Sequence, residues 1–179
     1  MKKLLIWYIL LVGYINGAGP DPVFGENGMV VSTSRHASIA GIEILKKSGN
    51  AVDAACATGF VLAVTSSSNG NIGGGGFMVV HMADGKIFTL DYREIAPAAA
   101  YQDMFLDSNS EVIDNMSLRT RAASGVPGSV DGLLKAWRDH GSGNISRREL
   151  LASAIALAER GFELSHYEAS ALTITKICF

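Results

Sequence analysis

The sequence predicts an α+β fold built in layers, and three stretches carry that reading. Residues 51–64 are apolar nearly all round, which places a helix in the interior. Residues 77–92 read as a hairpin around Asp84-Gly85. Its first arm (Phe77, Met78, Val79, Val80) is apolar on both faces, the pattern of a sheet covered on both sides. Toward the C-terminus come three helix starts, each with its own capping residue. At 179 residues, with 48% apolar and 18% charged content, the chain has material for one domain with a buried core.

The first element is a targeting segment. Lys2 and Lys3 precede an apolar run at 4–12, and the small residues Gly17, Ala18 and Gly19 follow. That is the order of a secretory signal peptide cut near 17–19. A membrane anchor is the alternative, but a span needs about 20 apolar residues, and Gly13 and Asn16 interrupt this one. Residues 1–19 are therefore expected to be a signal peptide and the mature chain to start near Pro20. The protein is expected to be exported, to a periplasmic or extracellular location.

After a Pro/Gly-rich entry, residues 29–32 (Met-Val-Val-Ser) read as a short strand. A helix is expected over 35–47, with Ile39, Ile42 and Leu45 at helical spacing, Lys46 and Lys47 at its C-terminus, and Gly49 at C′. Asn50 is placed to cap the next helix, with Asp53 in its first turn. The alanines of that helix would let a sheet approach closely. The polar loop 65–71, with Ser66-Ser67-Ser68, leads into four consecutive glycines at 73–76. Asp84-Gly85 supplies the residues of a type I′ turn. In the second arm Ile87, Thr89, Asp91 and Arg93 share one face, and Phe88, Leu90 and Tyr92 the other. A looser segment spans 98–120, and residues 124–128 (Ser-Gly-Val-Pro-Gly) read as a tight turn. Ser129 is expected to cap a helix ending at Gly141. Ser146 with Glu149, and Ser165 with Glu168, form capping boxes for two more, the first of which ends at Gly161.

Several chemistries are disfavoured. A net charge of −2 leaves no basic footprint for nucleic acid. His36, His81, His140 and His166 are scattered without metal-ligand spacing, so no metal is expected, and His81 and His140 read as structural or solvated. A dinucleotide cradle needs strand, glycines, helix, whereas the glycine run here follows a helix and precedes a strand. No cofactor is expected. Cys56 reads as a small buried hydrophobe, and export would permit a disulfide with Cys178 only in principle. Asn115-Met116-Ser117 and Asn144-Ile145-Ser146 are glycosylation sequons, relevant only in a glycosylating host.

What remains is the glycine run and Arg93. Consecutive glycines are costly to order, so they mark a main chain that passes close to something or adopts φ > 0. Close packing of a strand under a helix explains them equally, and is compatible with a neighbouring site. The Arg93 guanidinium is a planar fork that matches a carboxylate. An ion pair with Glu94 is the competing reading. Nothing else assembles a nucleophile with a base.

These residues resemble the N-terminal part of the γ-glutamyltransferases, also called glutathione hydrolases. The matching motifs are Asn27-Gly28-Met29-Val30, the stretch Ile44-Leu45-Lys46-Lys47-Ser48-Gly49-Asn50-Ala51-Val52-Asp53-Ala54-Ala55, the glycine motif Gly70-Asn71-Ile72-Gly73-Gly74-Gly75-Gly76-Phe77-Met78, Asp91-Tyr92-Arg93-Glu94-Ile95-Ala96-Pro97 and Ala123-Ser124-Gly125-Val126-Pro127-Gly128. They run in register from about residue 26 to 170. Ser66-Ser67 departs from the His-Pro common in the family, and residues 173–179 no longer resemble it.

The resemblance implies an N-terminal-nucleophile hydrolase, an αββα sandwich that is incomplete here because the small subunit is absent. It implies an exported precursor that cuts itself into two subunits. The new N-terminal Thr of the small subunit then attacks a γ-glutamyl amide, with its own α-amino group as base. Residues 20–179 would be the N-terminal part of the large subunit, truncated and inactive alone. Arg93 is the one substrate-binding residue the resemblance assigns, on the α-carboxylate. Glutathione and other γ-glutamyl compounds would be donors, water or an amino-acid or peptide acceptor would take the γ-glutamyl group, and the small subunit would be the partner. The alternative is a non-catalytic secreted remnant of the family that binds γ-glutamyl compounds or folds incompletely.

Overall fold

The computed structural model describes residues 21–66, 69–70 and 72–175. The expected signal peptide at 1–19, Ser67, Ser68, Asn71 and Cys178 lie outside the described residues. The elements are α1 (Arg35–Lys46), α2 (Ala51–Thr65), β1 (Phe77–His81), β2 (Ile87–Asp91), a short α3 (Met116–Arg119) with a 3-10 turn (Arg121–Ala123), α4 (Ser129–His140), α5 (Arg147–Arg160) and α6 (His166–Thr175). The chain is therefore a mixed helix and sheet fold, as expected. Residues 29–32 are a correction: among the described residues no strand stands beside them to take their hydrogen bonds, and they run irregularly. Val30 packs on Gly41 of α1, while Val31 faces solvent.

Helix α2 is the centre of the helical layer. The Asn50 side chain accepts from Val52 N at 2.9 Å and Asp53 N at 3.0 Å, and Asp53 Oδ2 accepts from Asn50 N at 2.9 Å. This closed capping box satisfies the donors that a helix start leaves unpaired. Val52, Ala54, Cys56, Ala57, Phe60 and Val61 are buried against α1, α5 and α4. Helices take up most of its surface, while Ala51 and Ala55 line a cleft with Met78 and Val79 of β1. Burial pushes the Cys56 thiol from an ordinary 9.0 up to about 12, with the Asp53 charge adding to it. Its Sγ–H donates to Leu133 O at 3.2 Å, so it behaves as a core side chain.

Helix α1 ends in a Schellman motif, where Gly49 N donates to Ile44 O and Ser48 N to Leu45 O, both at 3.0 Å. Ser48, with φ 65°, holds the left-handed C′ position expected of Gly49. Gly49 is needed for space instead, since a Cβ there would stand 2.6 Å from Ile44 Cγ2 and 3.0 Å from Ile145 Cγ1.

The hairpin pairs Phe77 with Asp91, Val79 with Thr89 and His81 with Ile87. Its turn differs from the expected type I′. Met82 N donates to Lys86 O and Gly85 N to Met82 O, and only Gly85 of the tip has positive φ, 83°. That is a three-residue loop with glycine in the left-handed position. The inner face (Met78, Val80, Phe88, Leu90) lies against the helical core. Phe77 is 64%, Val79 76% and Ile87 67% exposed on the outer face, so the described residues cover the sheet on one side and not on both.

Helix α4 is capped by Gly128, and Ser129 is its buried first residue rather than its cap. The boxes at Ser146 and Ser165 form as expected. His140 stacks on Phe88 with ring centroids 3.7 Å apart, a structural role. The two corners at 48–53 and 140–145 are laced together. Asp53, fully buried, also accepts from Ser142 N at 2.9 Å, Asn50 Nδ2 donates to His140 O, and Asn144 Nδ2 donates to Ser48 O. Asp53→Ala orphans two backbone donors at once and is expected to destabilise by about 3 kcal/mol. Urea unfolding measures this. The exposed Asp139→Ala, which loses only surface pairs with Lys135 and Arg138, should cost under about 1 kcal/mol, and equal losses would show that Asp53 is no anchor.

Candidate functional site

The glycine run and the Arg93 motif meet in one place. The hairpin ladder continues past its strands through a reciprocal pair, Tyr92 N to Gly76 O at 3.0 Å and Gly76 N to Tyr92 O at 3.4 Å. Gly75 therefore stands opposite Arg93. A Cβ on Gly75 would lie 2.6 Å from Arg93 Cα and from Tyr92 O, and one on Gly76 would lie 2.9 Å from the Tyr92 ring. The cause of these glycines is close approach, since neither has positive φ.

The other side is closed by residues 125–132. Val126 N donates to Ile95 O at 2.9 Å and Ile95 N to Val126 O at 3.3 Å, so the segment between the 3-10 turn and α4 pairs with the Arg93 motif through Val126 and is not the expected tight turn. Gly74 O accepts from Gly128 N at 2.9 Å and Ser129 N at 3.0 Å, satisfying the start of α4. A Cβ at Gly128 would collide with Tyr92 O, and one at Gly132 with the Tyr92 side chain. Tyr92 is thus pinned between Gly76 and Gly132, and its phenol is pushed up by burial, with Cys56 nearby.

Arg93 emerges from this fixed backbone onto the open face of the hairpin. Its N–H donates to Asp91 Oδ1 at 3.0 Å. Its Nε lies 3.5 Å from Glu94 Oε2, at the limit of a hydrogen bond, and its Cζ sits 5.8 Å from the centre of the Phe77 ring. Both readings of Arg93 thus coexist: Glu94 engages the Nε side, and among the described residues Nη1 and Nη2 have no hydrogen-bond partner. The Glu94 carboxyl is held below the usual range first by its own N–H, then by Arg93 and the Gly75 N–H. A cleft of about 370 Å³ borders the motif, lined by Asp91, Arg93, Ile95, Val126, Asp131 and Lys135 among others. A larger cleft of about 810 Å³, between residues 27–31, α2 and β1, carries no charged side chain. Among the described residues no three His, Cys, Asp or Glu side chains are grouped to hold a metal.

A sequence profile of the family described as gamma-glutamyltranspeptidase matches residues 37–177. The chain belongs to that family. It is 45% identical over 163 residues to a glutathione hydrolase proenzyme of Pseudomonas sp. (strain A14), covering 90% of this chain and 28% of that protein. It is 49% identical over 140 residues to the glutathione hydrolase proenzyme of Pseudomonas aeruginosa, covering 78% of this chain and 25% of the relative. Among solved structures, the gamma-glutamyltranspeptidase of Pseudomonas nitroreducens complexed with L-DON superposes with a TM-score of 0.79 at 45% identity, over 87% of this chain and 46% of that one. The Helicobacter pylori gamma-glutamyltranspeptidase gives a TM-score of 0.81 at 40% identity, over 86% and 43%. The chain spans roughly a quarter of the length of these curated relatives.

Sequence reasoning found Arg93 and the glycine run but missed Gly128, Gly132 and Phe77 as their neighbours. A family motif flags the first, whereas the other contacts require the register and the return of α4. Gly132→Ala would drive a methyl into Tyr92 and is expected to cost about 1–3 kcal/mol. The measurement is the urea midpoint, and an unchanged midpoint would mean that Tyr92 is not pinned.

Proposed function

We propose that this chain is the N-terminal part of the large subunit of an exported γ-glutamyltransferase precursor, and that Arg93 binds the α-carboxylate of the γ-glutamyl donor. The observation that carries the reading is the Arg93 guanidinium. Its two terminal nitrogens have no partner among the described residues, and they stand on a backbone fixed between glycines. A guanidinium with both Nη groups available presents parallel N–H donors at carboxylate spacing. The relatives named glutathione hydrolase proenzyme support glutathione as a donor.

In this reading a small subunit beyond these 179 residues supplies the nucleophilic Thr and covers the open sheet face, completing an αββα sandwich. The γ-glutamyl carbonyl is attacked by the Thr hydroxyl, the amine leaves with a proton, and water or an acceptor amine releases the γ-glutamyl group. Arg93 contributes by fixing the far end of the donor, so that the reacting carbonyl is held at one distance from the nucleophile. The exposure of Phe77, Val79 and Ile87 favours a partner over that face. Residues 1–19 would direct export.

The purified 179-residue chain is expected not to turn over a γ-glutamyl anilide above blank, and turnover would refute the need for a second subunit. In the complete reading frame, Arg93→Lys should weaken donor binding by about 1–3 kcal/mol, read as kcat/KM. A wild-type value in that variant would show that Arg93 serves another purpose.

A further inference from the structure

The geometry points to Phe77 as a positioning residue for Arg93: its ring holds the guanidinium so that the Nη edge meets the donor carboxylate end-on. The inference rests on the carboxylate reading of Arg93 given above. It begins with an anomaly, a phenylalanine 64% exposed at the start of β1. Register explains what it does there. Phe77 pairs with Asp91, so Phe77, Asp91 and Arg93 share the outer face. The position opposite Arg93 is Gly75, which has no side chain. The guanidinium therefore meets the diagonal neighbour, and the Phe77 ring centre lies 5.8 Å below Cζ.

That distance falls within the range in which a cation is attracted by the ring face. The second constraint is Glu94, whose Oε2 lies 3.5 Å from Nε. A planar guanidinium offers a carboxylate two forks, one using Nε with one Nη and one using both Nη groups. Glu94 occupies the Nε side and Phe77 supports one face of the plane. The edge that remains is the pair of Nη groups. Without the ring, Arg93 would keep its charge and its ion pair but lose one of the two contacts that fix its plane. Binding would fall through added freedom in the unbound side chain, with no change in the chemical step.

The test uses the full-length protein that contains this segment, with a γ-glutamyl anilide as donor. Phe77→Leu keeps the apolar bulk without the π face, and is expected to raise KM about threefold with kcat unchanged. Phe77→Tyr keeps the face and should stay near the wild-type KM. An unchanged KM in Phe77→Leu, or a Phe77→Tyr as impaired as Phe77→Leu, would overturn the proposal. A second readout is independent of turnover: with Cζ 5.8 Å from the ring centre, the Arg93 guanidinium resonances should carry a ring-current shift. That shift should vanish in Phe77→Leu and persist in Phe77→Tyr, and its absence in the unmutated protein would also overturn the proposal. Arg93→Lys in the same assay separates the two failures. An unaltered KM there defeats the carboxylate reading itself, whereas a raised KM with a neutral Phe77→Leu defeats only the role of Phe77.

Discussion

Three stretches of main chain distant in sequence pass within van der Waals contact of one another at Tyr92 and Arg93. The glycine run lies on one side, the start of α4 on the other, and the ladder from Gly76 to Tyr92 joins the first to the hairpin. Such an approach is possible only where side chains are missing, since a single Cβ at Gly75, Gly128 or Gly132 would occupy space already filled. The entropic cost of ordering so many glycines is offset by what the contact achieves. It seats α4 through Gly74 O, docks the hairpin, and leaves Arg93 as a side chain on a backbone with little freedom to drift.

The helical layer supports this junction from beneath. Helix α2 is buried on most of its surface, and its N-terminal corner is tied by Asp53 and Asn50 to the loop after α4. Because α4 carries Gly132 at one end and His140 at the other, fixing its C-terminal corner also fixes the angle at which it meets Tyr92. Phe88 stacked on His140 adds a second attachment between hairpin and helix. The position of Arg93 is therefore determined by contacts that extend well beyond its own motif.

Local features were legible in the sequence, and features that depend on a distant partner were less so. The boxes at Asn50, Ser146 and Ser165 need only residues three apart, and they form where the side-chain chemistry places them. The turn at Asp84-Gly85 shows how a small ambiguity propagates. A two-residue loop would set Phe77 opposite Tyr92, whereas the three-residue loop sets it opposite Asp91, and one step of register exchanges the faces of a strand. Residues 124–128 look like a turn by composition, yet Val126 at their centre pairs with Ile95. Residues 29–32 have strand composition and lack a neighbouring strand among the described residues. Arg93 and its ion pair with Glu94 were visible in the sequence, whereas its contact with Phe77 depended on that register.

Cys56 adds a matter of timing. In the folded chain its sulfur is walled off by the core, and with the thiol at about 12 almost none is thiolate near neutral pH. During folding the same sulfur is exposed at its ordinary acidity, and any oxidant or disulfide present can reach it. Burial and oxidation are then competitors in a race. A chain that packs α2 early withdraws its thiol for good, while one that lingers can be trapped with an adduct too large for the space between α2 and Leu133.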